Sequence, residues 1–101
     1  RKVCEGRTAS AYLLATLADF CRRSGDLDEA ITYYRRALDR QHGQVGWRLS
    51  LARCLAAKGL YEEAIYEARL CLRHRPQFKA AENCIAKWSV AVLPEGNSKK
   101  K

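Results

Sequence analysis

The sequence predicts an all-α protein: an α-solenoid of two helical hairpins plus a C-terminal capping helix, five helices in all. Three observations lead there. The chain repeats itself at an offset of 34 residues, with Leu17, Ala18, Gly25, Glu29, Ala30, Ile31, Arg35 and Leu38 recurring as Leu51, Ala52, Gly59, Glu63, Ala64, Ile65, Arg69 and Leu72 without a gap. Inside each unit the apolar residues step by three and four, which is the spacing of one helical face. Each unit also places a glycine, Gly25 or Gly59, between two such stretches, where a left-handed backbone stops a helix.

Residues 1–10 read as an N-terminal flank and 11–44 as the first unit. Its first helix carries Leu13, Leu14, Leu17, Ala18 and Cys21 and ends at Gly25. Asp26 and Glu29 then offer an acidic cap and a capping-box partner to a second helix bearing Ala30, Tyr33, Tyr34, Ala37 and Leu38. The second unit, 45–78, repeats the plan with Leu60 at the cap. Ala18, Ala30 and Ala37, then Ala52, Ala64 and Cys71, are small where helix axes approach to ~8–10 Å. Leu17, Tyr34, Leu38, Leu51, Ile65 and Leu72 are the larger residues expected to fill the spaces between. After Pro76 a capping helix spans 79–93, with Ile85 and Ala86 in register with Leu51 and Ala52, until Pro94 stops it. Residues 94–101, ending in Lys99, Lys100 and Lys101, read as a basic, disordered tail.

Composition limits the function classes. The 101 residues are 48% apolar and 30% charged, which suits one ordinary domain. No apolar run approaches the ~20 residues that cross a bilayer. The absence of any Met predicts a piece of something longer. Five cysteines, an odd number with no CxxC pair, exclude a fully paired disulfide framework within one chain. Four of them fall in apolar helical patterns, where a reduced thiol acts as a small hydrophobe, so an intracellular, cytoplasmic setting is expected.

The stretch Gly25-Asp26-Leu27-Asp28-Glu29-Ala30-Ile31-Thr32-Tyr33-Tyr34-Arg35-Arg36-Ala37-Leu38 resembles the tetratricopeptide repeat family. The match lies in the small residue after Leu in the first helix, Gly at the turn, an acidic pair before Ala-Ile, an aromatic pair, Ala-Leu, and a closing Pro76. The sequence departs from the pattern at Leu14 and Arg48 in place of the family's Trp, at Cys21 and Leu55 in place of its Tyr, and at His42 in place of the first closing Pro. The resemblance covers residues 11–93 and implies a short right-handed superhelix.

The resemblance also implies a noncatalytic protein–protein interaction scaffold that binds a peptide or protein segment in a concave groove lined by the first helix of each unit. Matching positions are Tyr12, Thr16, Asp19 and Arg23, then Leu49, Ser50, Arg53 and Ala57, then Ala80, Asn83, Cys84 and Lys87. Arg23, Arg53 and Lys87 would form a basic row beside Asn83, suited to carboxylates on an acidic ligand, with Tyr12 and Leu49 as apolar contacts. Some family members clamp the terminal carboxylate of heat-shock chaperones, but Ala15, Asp19, Ser50, Ala80 and Cys84 occupy the positions that clamp needs, so a chaperone adaptor is not expected.

Charge is uneven, because residues 11–44 balance five basic against five acidic groups and the remainder supplies the whole +8. Such a field favours acidic partners and makes nucleic acid the weaker choice, since Tyr33, Tyr34 and Trp88 sit at packing positions rather than on a stacking platform. No small-molecule substrate, cofactor, metal quartet or phosphate loop is indicated, and no enzyme is expected. Cys71 and His74 lie three apart, yet Cys71 fills a small packing site and His74 suits a helix C-terminus. The alternative function is an accessory or self-association domain of a larger enzyme or envelope protein. On that view Val90 and Leu93 of the capping helix carry a homo-oligomer contact.

Overall fold

The computed structural model describes the backbone of residues 2–100 and the side chains of residues 11–92. It contains α1 (Lys2–Ser24), α2 (Leu27–Arg40), α3 (Val45–Ala57), α4 (Tyr61–His74) and α5 (Lys79–Lys100), with no strand among the described residues. Each helix packs on the next, and α1 also touches α3. This is the nearest-neighbour arrangement of a stacked repeat.

The two outer helices are longer than the sequence suggests. α1 starts inside the flank assigned to 1–10, and α5 passes Leu93 and Pro94, where the capping helix was expected to end. A proline removes one N–H donor and crowds the preceding turn, which weakens a helix without breaking the rest of its ladder. The side chains of the flank, of Leu93 and of the tail at 94–101 lie outside the described residues.

Both glycine turns are built alike. Gly25 (φ +91°) and Gly59 (φ +87°) adopt the left-handed backbone that L side chains resist. Around them the N–H of Asp26 donates to the Cys21 carbonyl at 2.8 Å and that of Leu60 to the Leu55 carbonyl at 2.9 Å. The glycine N–H groups close the inner bonds to Arg22 and Ala56, completing two Schellman motifs. The Asp26 side chain forms no cap bond, contrary to expectation. Its ψ of 73° nearly equals the 65° of Leu60, because both residues turn the chain instead of extending into the next helix. The motif, not the side chain, joins the helices, so leucine serves where aspartate does.

The six small residues Ala18, Ala30, Ala37, Ala52, Ala64 and Cys71 are all fully buried at helix contacts. Tyr34, Leu38 and Leu51 join the same core, with Ile65 and Leu72 packed against its edge. Leu17 does not fill an interior space: it is 37% exposed, because no described element covers its side of α1.

Unit two contains one ion pair that has no counterpart in unit one. Arg48 of α3 donates to Glu67 of α4 at 2.9 Å, with Arg35 of α2 reaching the same carboxylate at 3.8 Å. The residues 34 earlier are Leu14 and Tyr33, which meet as an apolar pair in a small cluster with Ala15, Ala37 and Trp47.

Candidate binding groove

The positions expected to line a concave side recur in register on α1, α3 and α5. One row reads Asp19, Arg53 and Lys87, and the row beside it reads Arg23, Ala57 and Ala91. The side chains of these rows decide where a ligand can be held.

At the α1 end both cations are paired with one carboxylate. Asp19 accepts from Arg22 at 2.5 Å and from Arg23 at 3.1 Å, so its single carboxylate offsets part of the charge of two guanidinium groups. Tyr12 is exposed and stands edge-on to Trp47, with ring centroids 5.3 Å apart.

The α3–α5 end differs. Arg53 and Lys87 are both exposed and line one cleft of about 460 Å³ with Ala56, Ala57, Tyr61, Cys84, Trp88 and Ala91. Neither cation has a carboxylate within ion-pair distance among the described residues. The alanines at 57 and 91 leave room that Arg23 fills in the first unit, while the aromatic rings supply an apolar wall. Two lysine and arginine stems over such a wall can grip an acidic side chain and its apolar neighbour together.

Two expected groove residues do not line this cleft. Leu49 is 5% exposed and belongs to the core, so it contacts no ligand. Its register partners are Ala15, also buried, and Asn83, which is exposed. This position faces the next unit of the stack. Asn83 is open on a side of α5 that no described helix follows; it lies one helical turn before Lys87 but does not line the cleft. Val90, 66% exposed, corresponds to the buried Ala56 and shares that outer face. Conversely, Tyr61, Trp88 and Ala91 line the cleft but were absent from the expected set. The 34-residue register carries the signal for Ala91, whereas Tyr61 reaches the cleft from the start of α4, which no pattern within the first helices reveals.

A second cleft of about 390 Å³ lies between Arg35, Asp39, His42, Arg48 and Glu67. Glu67 already bridges both arginines there, which leaves little net charge for a ligand. Cys71 is not placed to act as a nucleophile: it is fully buried, its thiol donates to the Val45 carbonyl at 3.5 Å, and burial pushes its pKa up to about 11. His74 is exposed at the end of α4. No cluster able to hold a metal ion occurs among the described residues, and no described helix is long and apolar enough to cross a membrane.

A search of curated proteins finds no match to the chain. A family model for the tetratricopeptide repeat matches residues 12–78.

Proposed function

This chain belongs to the tetratricopeptide repeat family, and on that premise we propose that it is a noncatalytic module holding an acidic peptide segment in the cleft between α3 and α5. Modules of this family serve protein–protein interaction in general. The observation that carries the specific assignment is the pair Arg53 and Lys87: two exposed cations on one cleft, neither bound by a carboxylate of the described residues. Ala57 and Ala91 supply the space, and Tyr61 and Trp88 the apolar wall. Arg23 contributes less than this pair because Asp19 offsets part of its charge.

The test is fluorescence anisotropy with labelled extended peptides carrying glutamates beside leucine, against the same peptides with glutamine. Arg53→Glu with Lys87→Glu is expected to weaken the glutamate peptides by about tenfold, and raised salt to shrink that difference, because exposed charge pairs are screened. Equal affinity of the variant and the parent protein for glutamate peptides overturns the assignment.

A further inference from the structure

The largest apolar exposure in the described residues is on α1, at the opposite end from Val90. Leu13, Leu17 and Phe20 are 58%, 37% and 67% exposed and form a single stripe. Patches of this kind usually mark a contact.

The chain itself contains the template for what covers such a stripe. The same register positions on α3 are Trp47, Leu51 and Cys54, of which Leu51 and Cys54 are fully buried and Trp47 packs against Ala37 of α2. On α5 they are Ala81, Ile85 and Trp88, packed into the core that includes α4. In both places the covering helix bears an identical ridge, Ile-x3-Arg-x2-Leu: Ile31, Arg35 and Leu38 on α2, then Ile65, Arg69 and Leu72 on α4. Arg35 and Leu38 line one cleft with Arg48 and Leu51, which puts the ridge against α3. The ridge arginine also finds an acceptor, since Arg35 lies 3.9 Å from Glu63. One unit earlier that residue is Glu29, exposed on α2, where its carboxylate accepts from the Cys21 thiol of α1 at 3.9 Å.

We propose that the outer face of α1, formed by Leu13, Leu17 and Phe20 with Glu29 at its edge, is a docking seat for an amphipathic helix of another protein that carries an Ile-x3-Arg-x2-Leu ridge. The interface continues one already made twice inside the chain, and the charge at its edge matches. A second copy is a poor occupant, because its own two ridges are committed to its own α3 and α5. This seat is separate from the cleft of Arg53 and Lys87, so a ligand there leaves it free.

The probe is a labelled peptide of residues 60–76, which spans α4, titrated against the whole chain. Saturable binding is expected, reduced at least about tenfold by Phe20→Ser or Leu13→Ser, the scale of losing one buried apolar side chain. Ile65→Ser in the peptide should act likewise, and Val90→Ser in the protein should change nothing. Glu29→Lys should weaken the peptide, and a peptide with Arg69→Glu should recover on that variant. These exposed substitutions leave the core intact, which a circular dichroism melt verifies. Three results overturn the proposal: no saturable binding, binding indifferent to both α1 substitutions, or a reversible dimer of the chain that Phe20→Ser dissolves.

Discussion

Leu17 and Leu51 are the same residue at the same place in two successive units, yet one is 37% exposed and the other 1%. The surrounding sequence is similar, the helices are similar, and the turns that end them share their hydrogen bonds. What differs is the neighbour: α2 lies over Leu51, and no described element lies over Leu17. In a stacked repeat the local sequence fixes the helix and its register, whereas burial is assigned by position in the stack.

The largest expected effect tests this directly. Leu51→Ala should cost about 2–5 kcal/mol in urea unfolding, the range for emptying a well-packed core site, and Leu17→Ala less than about 1 kcal/mol. Similar losses at both sites would break the comparison, and would mean that Leu17 is covered in solution.

A smaller effect separates the units by chemistry. Arg48 and Glu67 form a half-enclosed ion pair where unit one places Leu14 and Tyr33. Glu67→Tyr alone should destabilise by about 1–3 kcal/mol, because it strands a guanidinium whose Nε already lacks a partner. Adding Arg48→Leu transplants the apolar pair of unit one and should restore most of that loss, as such exchanges are often neutral or better. A double variant no more stable than the single one would show that the two units differ in backbone as well as in side chains.

An effect confined to alkaline pH concerns Cys71, whose counterpart is Ala37. Burial holds its thiol at about 11, above the usual ~8.5 of an unfolded cysteine. Its contribution to stability is therefore complete below about pH 8.5 and fades as pH climbs towards 11. Cys71→Ala should flatten the alkaline end of the stability profile measured by urea unfolding, leaving a residual slope from Cys54, which burial also pushes up. An unchanged profile would place the alkaline loss elsewhere.

Much of the architecture was legible in the sequence. The 34-residue offset, the two glycine stops and all six small contact residues stand where the pattern places them. The groove was less legible. Arg53 and Lys87 fall on one cleft, but a helical wheel treats Leu49 and Asn83 as equivalents of their neighbours, and only the stack shows that this position faces the following unit. The same blindness directed attention to Val90 on α5, while the larger apolar exposure stands on α1. Asp26 misled for a different reason: its capping signature is real, yet the glycine turn before it has already set the backbone.

Among the described residues the helices at the two ends of the stack, α1 and α5, are both of the first kind, and every helix of the second kind lies between them. They nevertheless bare different faces, Leu13, Leu17 and Phe20 on α1 and Asn83 and Val90 on α5. A head-to-tail contact between two copies would need a free ridge of the second kind, and each copy has already used both of its own. Among the described helices, the surface that would complement the bare face of α1, the ordinary seed of open-ended growth into fibres, is therefore already occupied.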